Sequence, residues 1–471
     1  ADGGGDEPVM SGPKPASSDP LVAARAVLSR VPRLGVGGGV GLEVYAQFAR
    51  TATVKVFGGR AESVATAEPR GLGVRAMDGY RVGYSYTADL SDVGMDKVVL
   101  ESIENARAAA PDEFQALPAG PLSYPALADL WRPGVSGTTV DQKVAIAMEA
   151  EATALAKPEV AIVEISEYSD TDSKVAIVSN QGVEIQGEQS FCFAYVFALA
   201  GGEGDRQSGL GFTAGREPAE LDARAAGAEA ADKARRLLGA KPCATGSYTV
   251  VFDREVAAAL LGLIGSALSA DAWQKGRSVF RGKLGEQVAS SMVTLWDDGL
   301  AAGGLATNPF DAEGVPQRST LLVEDGVLRK ALHDTHTARK EGGETVSTGN
   351  ASRGSYRSLP SVGLSNLVLR PGEGELEDLL RRVGTGLYVD SAAGLHSGVN
   401  PVTGEISVGV TGRLIEDGVA GRPVREVTIA TDFISLLQSI GDLAGDSRWI
   451  PLYGSVRTPS IAVQAVAVSG K

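Results

Sequence analysis

Residues 256–270 have the sequence VAAALLGLIGSALSA, which is the longest apolar stretch of the chain. Charged residues flank it, with Asp253, Arg254 and Glu255 before it and Asp271 after it. A helix needs about 18 or more apolar residues to cross a membrane, and this stretch is shorter. It therefore predicts a helix that is buried inside a globular unit.

The segments around this helix predict a β-rich C-terminal unit. A strand is expected at 248–252, directly before the helix, and one further helix around 375–383. Asp-Gly pairs indicate hairpin turns, because both central positions of a type I′ turn need positive φ. Three such pairs stand among Val, Leu and Ile runs, at 298–299, 325–326 and 417–418. We expect a curved sheet or a barrel from residue 290 onwards.

The N-terminal part of the chain predicts an α+β unit. A helix is expected at 21–31, after the potential caps Ser18 and Asp19. Short alternating apolar runs at 42–87 indicate strands. A helix at 92–110 has apolar residues three or four positions apart, so one of its faces would cover those strands.

A middle unit is expected after a linker rich in Pro and Gly at 118–126. Its predicted elements are helices at 140–157 and 218–238 and strands at 160–168, 174–179 and 190–199. The predicted fold class is α+β, with N-terminal and middle α/β units followed by a β-rich, curved-sheet or barrel-like C-terminal domain. The predicted divisions are a flexible tail at 1–20, an N-terminal α+β domain at 21–118, a middle domain at 119–242 and a C-terminal domain at 243–471.

The composition excludes several classes of protein. The net charge is −14, which disfavours nucleic acid and anionic membranes as partners. Only two cysteines, Cys192 and Cys243, occur in 471 residues, too few for a disulfide framework. We therefore expect a cytoplasmic protein. Cys192 lies in an apolar run, where a buried and unreactive thiol is expected.

The common catalytic motifs are absent from the sequence. There is no HExxH, HExxxH or CxxC, so no single helix supplies two zinc ligands and a carboxylate base. His333 and His336 form HDTH in a predicted strand-turn region, where an i, i+3 pair would point to opposite faces. In GLHSG at 394–398, Ser397 does not occupy the nucleophile position, and the adjacent His396 is badly placed as its base.

Two glycine-rich segments lack the features of nucleotide-binding loops. GVGGGVG at 35–41 has a helix before it and a strand after it, the reverse of the dinucleotide fingerprint. GGEGDRQSGLGF at 201–212 lacks the Lys-Ser/Thr pair of a phosphate-binding loop. The second segment predicts either a mobile loop over a pocket or a plain long connection, and the sequence favours neither.

The order of several motifs resembles a known family. Each motif is weak alone, but together they extend over nearly everything after residue 40. On them the chain is identified as a member of the TldD/PmbA family, in its PmbA (TldE) branch. The motifs are GLGVRAMDGYRVGYSYTADLS (71–91), SNQGVEIQGEQS (179–190), DRQSG (205–209), ATNPFDAEGVPQRSTLLVEDGVL (306–328), TARK (337–340), STGNA (347–351), NLVLRPG (366–372), GTGLYV (384–389) and PVTGEISVGVTGRLIEDG (401–418).

The resemblance implies a division of labour between two chains. TldD-type subunits carry HExxxH on a helix of the C-terminal unit and a cysteine ligand near the chain end, and they pair with a PmbA-type subunit around a cavity where unfolded peptides are cleaved. In this chain the corresponding helix is 258–270, which has no His and no Glu, and the end reads PLYGSVRT (451–458) without Cys. No catalytic or metal-binding residue is therefore expected here, and the zinc is expected in a TldD-like partner. PmbA-like chains usually have Tyr where this chain has His336, so the role of that position stays open.

The resulting expectation is a non-metal-binding subunit of a heterodimeric zinc metallopeptidase that binds unfolded or precursor peptides. The glycine-dense segments 201–211 and 394–404 are predicted to form cavity walls, with Gly209, His396, Ser397 and Asn400 as substrate-binding residues. The alternative is a homodimeric peptide-binding or maturation protein without hydrolytic activity. An independent hydrolase that uses Ser397 or a carboxylate is a third hypothesis.

Overall fold

The structure is a computed structural model that describes residues 19–452 and 454–471. The predicted flexible tail therefore lies outside the described residues up to position 18, as does Tyr453 within the 451–458 stretch. Helices make up 24 % and strands 39 % of the structure, which confirms the mixed α and β fold and its β-rich C-terminal region. Within the described ranges no helix is long and apolar enough to cross a membrane.

One seven-stranded sheet runs through both the N-terminal and the middle segments of the chain. Its order is β4-β3-β1-β5-β6-β7, and β2 pairs with the distal half of β1. The predicted boundary at residue 118 falls in the connection between the two halves of this sheet. The strands are β1 (Val40–Phe57), β2 (Arg60–Ala67), β3 (Arg70–Asp78), β4 (Arg81–Thr87), β5 (Val160–Ser179), β6 (Glu184–Ala200) and β7 (Gln207–Gly215).

Helices cover one face of this sheet except at β2, which is exposed at every residue. Even-numbered side chains of β1 point to that face, because strand side chains alternate with a period of two. Val44 packs in a core with the first two helices, and Val54 packs in a core with the fourth. The helices are α1 (Pro20–Arg30), α2 (Asp92–Ala108), α3 (Gly134–Gly137), α4 (Val140–Leu155) and α5 (Ala223–Arg236).

Two local predictions for the middle segment are wrong. The predicted helix at 218–238 does not begin at Pro218, since Pro218–Glu220 is a short 3₁₀ turn. Helix α5 begins only after Asp222, whose side chain accepts a hydrogen bond from the backbone N–H of Ala225. The two strands predicted at 160–168 and 174–179 form the single strand β5, because the polar residues between them are held by pairing with β1 and β6.

The C-terminal segment contains a closed five-stranded barrel. Strand β17 pairs with both β16 and β21, which closes the order β17-β16-β15-β8-β21, and β18 attaches to β21. This confirms the barrel-like prediction. The strands are β8 (Gly246–Phe252), β15 (Gly386–Ala393), β16 (Glu405–Glu416), β17 (Val419–Asp432), β18 (Ile440–Leu443) and β21 (Ile461–Ser469).

A second six-stranded sheet lies beside the barrel in the order β11-β10-β9-β14-β20-β19. A two-stranded ribbon, β12 with β13, accompanies it. The strands are β9 (Leu295–Asp298), β10 (Ser319–Glu324), β11 (Val327–Leu328), β12 (Ala351–Ser352), β13 (Ser361–Val362), β14 (Asn366–Leu369), β19 (Arg448–Ile450) and β20 (Ser455–Thr458).

The apolar stretch at 256–270 is the central helix of this unit, α6 (Arg254–Ala267). Its Leu260, Leu261 and Ile264 are almost fully buried in a core shared with the barrel and the six-stranded sheet. The helix ends three residues earlier than predicted. The remaining helices are α7 (Ala270–Gln274), α8 (Thr335–Glu341), α9 (Leu376–Val383), α10 (Leu395–Gly398) and α11 (Phe433–Gln438).

Two of the three Asp-Gly pairs form the predicted hairpins. Asp325-Gly326 joins β10 to β11 and Asp417-Gly418 joins β16 to β17, with positive φ at all four residues. The prediction for Asp298-Gly299 is wrong, because β9 ends there and the next strand begins only at Ser319. Residues 299–318 are instead an irregular connection that lines the cavities described below.

Candidate functional site

A chain of ion pairs connects helix α6 to the middle segment. Glu255, in the first turn of α6, pairs with Lys233 of α5. Lys233 also pairs with Glu229 at 3.0 Å, and Glu229 pairs with Arg448 at 3.2 Å. Burial raises the pKa of Glu255 to about 7, and Lys233 opposes this rise. The first turn of α6 is therefore connected by ion pairs, through Lys233 and Glu229, to Arg448.

The residues of α6 do not fit a zinc site. The helix contains no histidine, and its Glu255 is engaged by Lys233. Across the part of the chain that the structure describes, no group of three or more His, Cys, Asp or Glu side chains could hold a metal ion. Neither zinc ligands nor a carboxylate base can therefore be assigned to this helix.

The HDTH motif lies at a helix start, so its predicted strand-turn conformation is wrong. Asp334 caps α8 by accepting the backbone N–H of Thr337 at 2.8 Å. His333, just before the cap, is buried, and burial lowers its pKa. His336 lies within α8, and its Nε2 is 2.8 Å from Oδ2 of Asp112. The His336 side chain therefore connects the C-terminal unit to the segment that follows α2.

The larger of two interdomain cavities has a volume of about 670 Å³. It lies between the edge strand β7, the segment 126–132, the connection 299–318 and the start of β19. Half-buried Leu300, Leu305 and Trp449 supply part of its apolar surface. Its charged lining consists of three arginines, Arg132, Arg216 and Arg448, and two carboxylates, Asp129 and Glu220. We call it the Arg216 cavity.

Arg216 differs from the other two arginines of this cavity. Arg132 pairs with Asp129 at 3.1 Å, and Arg448 pairs with Glu229. The guanidinium of Arg216 instead donates to three backbone carbonyls, at 2.8 Å to Gly304, 3.3 Å to Ser190 and 3.5 Å to Leu305. No carboxylate of the described residues lies within 4.0 Å of it. Burial lowers the pKa of Arg216, although an arginine remains protonated at neutral pH.

The smaller cavity, of about 330 Å³, lies between the seven-stranded sheet and the C-terminal unit. Tyr45 and Gln189 line it from the sheet, and Asp311, Asn350 and Arg353 line it from the C-terminal unit. Both carboxylate oxygens of Asp311 accept backbone N–H groups, so this carboxylate fixes the loop around it. Asn350 and Arg353 are likewise engaged, with an aspartate and a glutamate respectively. The polar groups of this cavity are therefore committed to structure.

The predicted substrate-binding residues do not come together at one site. His396, Ser397 and Asn400 are exposed around α10, at one end of the barrel. Gly209 is buried in β7, where an added Cβ would lie 2.1 Å from the carbonyl oxygen of Ala230. Its local role is to let α5 pack closely on the strand. The four residues lie outside both interdomain cavities, and their assignment as substrate-binding residues stays a prediction.

Sequence reasoning did not single out Arg216, Arg448 or Trp449. No motif spacing connects them, because 232 positions separate Arg216 from Arg448 and only the fold places both at one cavity. The nearest available signal was the glycine-dense segment 201–211, which was predicted as a cavity wall. Its residues 207–211 form the first half of β7, whereas the cavity is lined by residues 212–216 at the end of that strand and just after it.

Comparison with protein families assigns this architecture. The chain matches the PmbA/TldA metallopeptidase domain 1 over residues 42–110, the central domain over 134–238 and the C-terminal domain over 245–470. The chain belongs to the PmbA/TldD metallopeptidase family. This confirms the resemblance, including that to the PmbA (TldE) side of the family.

Individual relatives support the assignment over nearly full length. The chain is similar to the metalloprotease PmbA of Escherichia coli O157:H7, with 26 % identity over 457 residues that cover 94 % of this chain and 95 % of the relative. A crystal structure from Thermotoga maritima, named for a suggested modulator of a DNA gyrase, has a TM-score of 0.87 at 27 % identity. It covers 94 % of this chain and 100 % of its own. The structure of TldE from Thermococcus kodakarensis shares the fold, with a TM-score of 0.86 at 22 % identity and the same two coverages.

Proposed function

We propose that this chain is the non-metal-binding subunit of a two-chain zinc metallopeptidase, and that it binds the unfolded or precursor peptide which its partner cleaves. The observation that carries the proposal is the composition of α6. The family pattern has HExxxH on this helix in TldD-type chains, whereas α6 presents Leu260, Leu261 and Ile264 to the core and has no histidine. A metallopeptidase fold without ligands at that helix is consistent with a chain whose role is to bind.

The surroundings of α6 support the same proposal. The ion pairs from Glu255 through Lys233 and Glu229 to Arg448 neutralise most of the charge at the first turn of the helix. Arg448 also lines the Arg216 cavity, so these ion pairs connect the first turn of the helix to a ligand-sized opening. On this proposal, a peptide in that cavity is bound without any chemistry from this chain.

Co-expression with a TldD-like chain from the same genome tests the proposal. We expect a stable complex that contains one zinc per heterodimer, by mass spectrometry and elemental analysis, and that cleaves an unstructured fluorophore–quencher peptide. The control is the same complex in which the Glu of the partner's HExxxH is replaced by Gln, which should assemble but not cleave.

Two outcomes would overturn the proposal. Stoichiometric zinc together with peptidase activity in the isolated chain would show that it needs no catalytic partner. A homodimer that binds the peptide and has no affinity for any TldD-like chain would favour the alternative of a maturation or peptide-binding protein.

A further inference from the structure

Strand β7 presents an unpaired backbone edge to the Arg216 cavity. It is the last strand of the seven-stranded sheet, and it pairs with β6 alone among the described strands. Helix α5 covers one of its faces, where Gly209 and Gly211 allow close approach. Neither β6 nor α5 covers the outer edge of the chain at residues 212–216, and these residues line the cavity.

The direction of the backbone groups follows from two contacts outside the ladder with β6. The carbonyl oxygen of Phe212 accepts a hydrogen bond from Arg448 at 3.4 Å, and the backbone N–H of Arg216 donates to Glu220 at 2.7 Å. In an antiparallel strand the outward-pointing residues alternate, so the N–H and C=O of Ala214 point the same way. Ala214 therefore offers an unused donor and acceptor to the cavity.

Arg216 adds a positive charge at the end of this edge. Its guanidinium is fixed by the carbonyls of Gly304, Ser190 and Leu305. No carboxylate of the described residues lies within 4.0 Å of it, although the charge of nearby Glu220 acts to raise its pKa. The backbone N–H of Arg216 donates to the Glu220 carboxylate at 2.7 Å, which holds that carboxylate at the main chain of Arg216. A partly buried guanidinium in this position favours a carboxylate ligand, because charge-assisted hydrogen bonds are stronger than neutral ones.

We propose that the Arg216 cavity binds an extended peptide segment, which pairs with β7 at Ala214 and places a carboxylate on Arg216. This inference rests on the proposed function for its ligand class. Pairing through the main chain tolerates many sequences, whereas Arg216 selects a negative charge at one position. Leu305 and Trp449 accommodate an apolar neighbour of that residue. The carboxylate is either an acidic side chain or the C-terminus of the peptide.

Peptide substitutions test the charge preference on the unaltered chain. The probe is a fluorescein-labelled unstructured nonapeptide with one central Asp and a free C-terminus, measured by fluorescence anisotropy. Its Asp→Asn and C-terminal amide versions identify which carboxylate is bound. We expect one of the two changes to weaken binding by about tenfold or more. Equal affinity for all versions, including the doubly neutral one, would overturn the role of Arg216.

Protein variants test the same role from the other side. Arg216→Gln should lower the affinity for the acidic peptide to that for its neutral version, and Arg60→Gln on the exposed strand β2 is the matched control. Circular dichroism establishes that both variants fold. If folded Arg216→Gln still prefers the acidic peptide, the assignment to Arg216 is wrong.

A proline scan of β7 tests the backbone pairing. Ala214→Pro removes an outward N–H that faces the cavity, while Ser208→Pro removes an equivalent N–H of the same edge outside the cavity. We expect loss of binding by about tenfold for the first variant and no change for the second. Unchanged binding by Ala214→Pro would exclude strand pairing at this edge.

The same peptides separate this proposal from the proposed function. Binding to this chain without cleavage by the two-chain complex would retain the site and reject the peptidase role. Cleavage by the complex of acidic and neutral peptides alike, with no binding to the isolated chain, would retain the peptidase role and reject the site.

Discussion

Arg75 is the centre of a buried ion network that joins the seven-stranded sheet to the C-terminal unit. Its side chain, 5 % exposed, pairs with Glu43 of the neighbouring strand β1 at 2.5 Å and with Glu313 of the 299–318 connection at 2.7 Å. Glu43 also pairs with the fully buried side chain of Arg353. Burial alone lowers the pKa of Arg75, but the two carboxylates raise it overall.

Arg75→Met should destabilise the protein strongly. The methionine preserves much of the apolar volume, yet it leaves Glu313 without its arginine and leaves Glu43 with Arg353 alone. Removing one partner of a buried pair costs about 3–5 kcal/mol, because an uncompensated charge stays in the interior. That is a large share of a total stability of about 5–15 kcal/mol. The double variant Arg75→Met with Glu313→Gln should recover part of the loss.

Urea unfolding, followed by far-ultraviolet circular dichroism, measures the effect. Because a protein with several units can unfold in several steps, the comparison uses the free energy of the first transition. The matched control is Arg381→Met, which breaks an exposed pair with Asp378 at 2.7 Å and should cost less than about 1 kcal/mol. If Arg75→Met costs no more than this control, the network does not hold the two parts together.

Three further predictions concern single buried positions. Gly209→Ala should cost about 1–3 kcal/mol in urea unfolding, since its Cβ meets backbone atoms of α5, whereas Gly409→Ala, with open space around it, should be nearly neutral. Burial raises the pKa of Cys192 to about 12, so this thiol should resist Ellman's reagent at pH 8 until the protein unfolds. The test uses the Cys243→Ser variant, in which Cys192 is the remaining cysteine, and rapid labelling of that native variant would contradict the prediction. Burial lowers the pKa of His333 below its ordinary value near 6.5, so the unfolded state binds the proton more readily. The melting temperature should therefore fall as pH decreases from 7 to 5, and an equal fall in His333→Gln would show that this residue is not the cause.

Most elements could be predicted from local patterns. Helix α1 begins at Pro20 after the cap Asp19, and α2 and α4 begin at or within a residue of their predicted starts. The hairpins at Asp325-Gly326 and Asp417-Gly418 follow from the positive φ that their turns require. These features depend on residues a few positions apart, so the sequence specifies them directly.

One wrong prediction arose where distant contacts override a local pattern, and another where a local helix cap was not recognised. Asp298-Gly299 has the composition of a hairpin turn, but strand β9 pairs with β14 and with a β10 that begins only at Ser319. HDTH was placed in a predicted strand-turn region, whereas the Asp334 side chain caps a helix that begins there. In the first case the deciding partner strands lie outside the short window of a local pattern; in the second the deciding cap lies within the motif itself.

The stretch at 256–270 shows what the sequence alone determined and what only the tertiary structure decided. Its apolar composition by itself established a buried helix, and its lack of histidine established that this helix cannot carry a zinc site of the HExxxH type. Only the tertiary structure showed that α6 lies between a closed barrel and a second sheet, and that its first turn is linked through Lys233 and Glu229 to Arg448. The Arg216 cavity likewise depends on segments up to 323 positions apart, from residue 126 to Trp449. Side-chain chemistry is encoded residue by residue, but the proximity of such segments results from burying one common core, which no local pattern contains.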